Sequence, residues 1–515
     1  MTGDEPPGGA LLRGIDLERA TVLDLQRALD TGHLDAVALT TFYLRRIRAV
    51  DQLLNAVIET NPQALREAAQ SDAHRRRHGA RSVLEGIPVL LKDNIGTADR
   101  QHTTAGSLAM LGARPARDAF LVQRLRAAGA VILGKTNLSE WANFRSPRSS
   151  SGWSARGGQT NNPYVLDRNP GGSSSGSGVA AAANLAAVTI GTETDGSIVC
   201  PAAANGIVGI KPTLGLVSRS GVVPISAAQD TPGPMTRTVT DAAAVLSVIQ
   251  GVDPADPATA AAAPYAARDY LAALRSDALA GTRIGVWRAV AGGDAKVLAV
   301  LDAAVAALRR GGATVVDDLD LPGLGPVLEA ELPALLVEFK HDINAYLATT
   351  PGQHPTDLAG LIAFNEANAD TELRHFGQEF FLAAEATSGD LTDPEYLEWR
   401  STATAGARRA IDATLAEHRL DAIVALANNP AWVTDLANGD DLTDFVSSSM
   451  LPAVSGYPNI TVPAGYAHGV LPLGVSFLGG RFSEPSLIAL AYAFEQATQV
   501  RKPPTYLPTL GPVDG

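Results

Sequence analysis

Gly171-Gly-Ser-Ser-Ser-Gly-Ser-Gly178 and Gly191-Thr-Glu-Thr-Asp-Gly-Ser-Ile-Val-Cys-Pro-Ala202, joined by an alanine-rich segment, are the stretch whose reading decides the architecture. Taken alone, a glycine and serine run suits a flexible linker. This one passes directly into a helix pattern over residues 179–185 and a strand pattern over 187–191. A linker does not usually interrupt a continuous α/β pattern. A phosphate loop fits no better, because no Gly-Lys-Ser/Thr follows and no acidic residue is placed for a dinucleotide.

Working outward, Gly86-Ile-Pro-Val-Leu-Leu-Lys92 reads as a buried strand after a turn, residues 120–128 as a helix and 130–133 as a strand. The alternation resumes with a strand at 284–287, a helix at 297–309 and a strand at 313–316. This predicts an α/β fold with a large, mostly parallel or mixed sheet covered by helices on both faces. Residues 17–80 read as helices, and about 327–418 as an almost wholly helical insertion on the same domain. Strand character returns at 421–426 and 471–477. A Pro/Ala-rich segment near 253–265 reads as a surface loop. The domain expectation is a flexible acidic tail at 1–16 and a single domain at 17–515.

The chain has 515 residues and is 46% apolar, which suits a globular core. A formal charge of −13 argues against nucleic acid and anionic membrane as partners. Apolar stretches such as 179–190 stop well short of the roughly 20 residues that cross a bilayer. No signal peptide is visible at the start. Cys200 is the single cysteine, so no intramolecular disulfide can form. These features fit a cytoplasmic protein.

A serine hydroxyl becomes a nucleophile only when a base takes its proton. None of the nine histidines falls in either serine-bearing segment, and none clusters at metal-ligand spacing. Lysine is scarce, six against thirty-five arginines, yet Lys92 ends an apolar strand. Burial of an ammonium favours the neutral amine, and a neutral lysine is a competent general base. The strand alone leaves two roles open for Lys92: that base, or an ion pair with Asp93 or another carboxylate.

Together these segments resemble the amidase signature family, whose Ser–cis-Ser–Lys triad hydrolyses amides. Gly86 to Asn94 looks like the family's lysine strand, Gly171 to Ser177 like its Gly/Ser loop and Gly191 to Ala202 like its nucleophile segment. Gly134-Lys-Thr-Asn-Leu-Ser-Glu-Trp141, Gly209-Ile-Lys-Pro-Thr213 and Asp230-Thr-Pro-Gly-Pro-Met235 extend the likeness over roughly residues 20–500, with a signature core at about 80–250. Within the family the chain is most similar to bacterial peptide amidases, through Ser139 to Phe144, Ser151 to Thr160 and Thr192 to Pro201. It departs from the broad pattern at Asp195, usually glycine, and at Val199, commonly arginine.

The resemblance implies an α/β/α sandwich and three catalytic residues: Ser197 as nucleophile, Ser173 as proton relay after a cis Gly172–Ser173 bond, and Lys92 as base. It makes the backbone N–H groups of Thr194, Asp195 and Gly196, with that of Ser197, candidates for an oxyanion hole. Asp195 itself is either an orienting group turned away from the carbonyl or a plain turn aspartate. Ser107, Trp141, Asn143 and Ser174 are candidate substrate-pocket positions. Ser174 also suits loop hydrogen bonding, as do Ser175 and Ser177. The implied activity is hydrolysis of C-terminal peptide amides. Broad aliphatic or aryl amidase or esterase action, and service within a glutamine amidotransferase, are the alternatives. No cofactor, metal or obligatory protein partner is implied.

Overall fold

Eleven strands form one sheet, numbered here in chain order: β1 Val57–Thr60, β2 Pro88–Lys92, β3 Val131–Thr136, β4 Val188–Glu193, β5 Val208–Lys211, β6 Thr231–Thr236, β7 Arg283–Val286, β8 Thr314–Val316, β9 Ala422–Leu426, β10 Asn459–Ala467 and β11 Leu471–Leu478. This is a computed structural model, and it describes residues 9–317, 319–441, 443 and 446–511. The spatial order is β8-β7-β9-β11-β10-β5-β6-β4-β2-β3-β1. β2 runs parallel to both β3 and β4, and β7 parallel to β8 and β9. β4–β6, β6–β5, β5–β10, β10–β11 and β11–β9 are antiparallel. The expected large mixed sheet is therefore present.

Both faces are covered. Along β9, Ala422, Val424 and Leu426 enter one core while Ile423 and Ala425 enter another with Trp287, Val327 and Ile411. That alternation is the period-two signature of a sheet with helices on each side. All five residues of β2 are buried, so the only polar side chain on it, Lys92, is carried into the interior by its neighbours.

The Gly/Ser stretch turns into helix Ser175–Ala182, earlier than the apolar pattern indicates. Gly176 explains part of this: a Cβ there would lie 2.3 Å from the Ala56 carbonyl oxygen, so only glycine lets this helix approach so closely. Ser177 Oγ donates to the Ile190 carbonyl at 3.0 Å and ties the helix to β4.

From Leu324 to His418 the chain is mainly helical, led by helices Leu324–Thr349 and Pro394–His418, which pack on each other. A two-residue strand, Gly352–Gln353, pairs with Gly112–Ala113 and anchors this region near the site. Of the tail expected at 1–16, residues 1–8 lie outside the described residues. Leu11–Leu12 and Ile15–Asp16 form a small antiparallel hairpin instead of free chain.

Candidate active site

Lys92 is fully buried, and its Nζ lies 2.7 Å from Ser173 Oγ, 2.9 Å from Thr192 Oγ1 and 3.2 Å from the Thr192 carbonyl oxygen. Burial pushes its amine down to about 7, against the pull of Asp230 and Glu193 in the other direction. The alternative ion pair with Asp93 is not formed. Asp93 pairs with Arg156 at 3.1 Å and accepts from Thr104 Oγ1. Lys135 and Lys211 are also fully buried, each pushed down to about 8 by burial. Lys135 holds the Ile95 and His102 carbonyls, and Lys211 that of Pro212. What distinguishes Lys92 is the serine in front of it.

Ser173 follows a cis Gly172–Ser173 peptide bond. Its carbonyl oxygen accepts from the Ser139 N–H at 3.1 Å. A Cβ on Gly172 would lie 2.3 Å from Ser139 Oγ, and one on Gly171, at φ +69°, would meet Cys200 Sγ at 3.0 Å. The Cys200 thiol behind this turn is pushed up to about 12 by burial. The Ser174 N–H donates to the Ser197 carbonyl at 3.1 Å, which brings the two signature segments together. Its hydroxyl is engaged by Thr192, donating to the carbonyl at 3.0 Å and accepting the N–H at 3.1 Å. The structure thus gives Ser174 a place in the framework.

Ser197 stands at the loop between β4 and helix Val199–Ala204 and is 8% exposed. No hydrogen bond joins the Ser173 and Ser197 hydroxyls among the described residues. Gly196 before it has φ +76°, a left-handed conformation that glycine adopts without cost. The backbone N–H groups of Thr194, Asp195, Gly196 and Ser197 donate to no acceptor among the described residues. That of Gly196 lies near enough to the Glu193 carboxylate to favour its charged form, short of a full hydrogen bond. The N–H groups of Thr194, Asp195 and Ser197 are left without an acceptor on one loop, which makes them candidate donors to developing negative charge.

Side chains brace this loop from beneath. Glu193 Oε2 accepts the N–H groups of Ile198 at 2.8 Å and Val199 at 3.0 Å. Thr194 Oγ1 donates to Asp230 Oδ1. Asp195 accepts from Ser449 Oγ, and burial with Glu331 nearby raises its carboxyl above the usual range. Its side chain is therefore tied to the loop that precedes helix Met450–Ser455.

The remaining candidates lie further out. Ser107 is buried and bonds to Glu372 at 3.1 Å, so it serves the contact with the helical insertion. Trp141 packs edge-on against Phe381 at 5.7 Å, and its buried indole N–H has no partner among the described residues. Asn143 donates to Ser151 Oγ at 3.0 Å and comes within 3.1 Å of a Cβ built on Gly172. A narrow cleft beside the site, with room for about one water, is bounded by Thr192, Thr194, Ala142, Val223, Ile225 and Pro232. Thr192, Glu193, Asp230 and Ser449 escaped the sequence reading of the site. The first three stood inside quoted motifs, whereas Ser449 lay in a segment without any signal.

This fold and site define an amide hydrolase. The chain belongs to the amidase family, whose model, described as "Amidase", matches residues 38–488. The native peptide amidase of Stenotrophomonas maltophilia superposes with a TM-score of 0.88 at 51% identity, covering 95% of this chain and 99% of that one. A probable amidase of Arabidopsis thaliana is 46% identical over 499 residues, 95% of this chain and 92% of the plant protein. A glutamyl-tRNA(Gln) amidotransferase subunit from Roseiflexus castenholzii is 37% identical over 493 residues, 94% of this chain and 96% of that protein. The expected likeness to bacterial peptide amidases is borne out.

Proposed function

We propose that this amidase removes ammonia from C-terminally amidated peptides, with Ser197 as nucleophile, Ser173 as proton relay and Lys92 as base. The observation that carries the reading is the 2.7 Å contact of Lys92 Nζ with Ser173 Oγ, where burial holds the amine near neutrality. Neutral Lys92 draws the Ser173 proton as Ser173 takes that of Ser197, a role that suits a hydroxyl because it donates and accepts at once. Ser197 Oγ bonds to the amide carbon, and the carbonyl oxygen gains charge beside the unpaired N–H groups of Thr194, Asp195 and Ser197. The C–N bond then breaks, and the departing nitrogen takes the proton back from Lys92 through Ser173 and leaves as ammonia. Water attacks the ester along the same proton path, releasing the acid and restoring Ser197. The path requires the Ser197 hydroxyl to come within hydrogen-bond reach of Ser173, as hydrogen bonds of a free site often tighten only with substrate.

The likeness to peptide amidase supports a peptide carboxamide as substrate. Ammonia release from a C-terminally amidated dipeptide tests it, with Ser197→Ala and Lys92→Ala each expected to lower turnover by about 10⁴-fold or more. Turnover confined to simple aryl amides would move the substrate to the broader class. Activity that persists in Ser197→Ala would sink the mechanism. The similarity to the Roseiflexus amidotransferase protein supports glutamine as a second reading, and glutamine hydrolysis that depends on a partner protein would favour it.

A further inference from the structure

The turn at residues 226–230 is clasped by the helical insertion on one side and by the nucleophile loop on the other. Ser226 Oγ donates to Glu338 at 2.6 Å, the Ala227 N–H to Asp342 at 2.6 Å, and Gln229 Nε2 to Glu331 at 2.8 Å. All three carboxylates stand on helix Leu324–Thr349. On the opposite side, Gln229 Nε2 reaches the Thr194 carbonyl oxygen at 3.3 Å. Gln229 Oε1 accepts from Arg400 at 2.7 Å, and Arg400 in turn forks onto Glu338 with two bonds of 2.6 Å.

Gln229 is 1% exposed, and its neighbours fix which end of the amide points where. The oxygen faces a guanidinium, and the NH₂ faces a carboxylate and a carbonyl. A flipped amide would oppose all three contacts.

We infer that Gln229 is a positioning residue for amide hydrolysis, aiming the Asp195 N–H by holding the Thr194 carbonyl. The two groups belong to one planar trans peptide and point in opposite directions, so anchoring the oxygen orients the hydrogen. The anchor reaches through Arg400 and Glu338 into helices Leu324–Thr349 and Pro394–His418. The insertion thereby sets the geometry of the loop that receives the oxyanion. The inference rests on the proposed reading of the 194–197 N–H groups.

Gln229→Met tests it, because methionine keeps the length but carries no donor for Thr194 and sets no second carboxyl against Glu331. We expect kcat for an amide substrate to fall by about tenfold or more, with KM within about twofold of wild type. Affinity for a peptide aldehyde, which forms a charged hemiacetal oxygen on Ser197, should fall in parallel. Aldehyde capture by the wild type tests the oxyanion reading separately. Where Gln229→Met does not fold, Ser226→Ala, which frees the turn from Glu338, decides by the same split between kcat and KM. A kcat held within twofold, or a loss confined to KM, overturns the inference.

Discussion

Lys92 faces Ser173 with an amine that burial brings to about 7, so its protonation should govern the low-pH side of catalysis. We expect kcat/KM to rise with pH through an apparent pKa near 7, measurable as a pH–rate profile on a neutral amide. A profile flat from pH 5 to 9 would remove Lys92 from the role of base. The same residue has a cost for folding. Its folded pKa is depressed below the unfolded value of 10.5, so the penalty is fully present below about pH 7. It is lifted as pH rises from there toward 10.5, because the unfolded chain then binds more protons than the folded one. Lys92→Met should therefore be inactive yet melt about 2–4 °C higher at pH 7, with the gain shrinking in alkali. Asp195 is the converse case: a carboxyl in a catalytic loop is tolerable because its side chain binds Ser449.

At the scale of elements, the short helix Val199–Ala204 begins two residues after Ser197, the proposed nucleophile, and depends on Glu193 for its first N–H groups. Losing such a cap typically costs about 1–2 kcal/mol. Glu193→Ala should lower stability by that amount in urea unfolding and slow turnover, since Ser197 sits on the same turn. Much of this was legible in the chain itself. The buried strand ending at Lys92, the helix and strand around residue 185 and the pairing of the two serine segments follow from periodicity and from the family motifs. Other elements were hidden for definite physical reasons. β6 is Thr-Pro-Gly-Pro-Met-Thr, a composition that argues against a central strand. It pairs with β4 along its length but with β5 only at Met235 and Thr236. Because its prolines alternate, both missing N–H groups fall on one side of the strand. Gln229 was equally illegible, since its importance comes from three partners that are distant in sequence.

Across the whole molecule, the insertion is fastened by buried charges as well as by apolar packing. Arg145 is fully buried within 2.9 Å of Glu140 and 4.0 Å of Glu372, and stacks over the Phe376 ring at 4.2 Å. The Glu140 contact is an ion pair by distance, although it is not aligned as a hydrogen bond. Two carboxyls therefore share one guanidinium, and burial pushes Glu140 up to about 8 and raises Glu372 as well. Glu140 has a folded pKa above its unfolded value, so its contribution is present below about pH 4.5 and is lost as pH rises through about 8. Limited proteolysis of residues 324–418 should accelerate as pH rises from about 4.5 to 8 and level off above it, and Glu140→Gln should flatten that dependence. Arg145→Ala, which strands both carboxyls, should cost about 3–5 kcal/mol in chemical unfolding.

Cys200, the single cysteine, is half-buried behind Gly171 with its thiol held protonated, so it should react slowly with thiol-directed reagents. A single substitution, Cys200→Ala, would then leave a background in which any cysteine placed on the surface carries a probe alone. A pair of spin labels, one on helix Leu324–Thr349 and one on the outer sheet edge, would turn the insertion into a ruler readable during turnover.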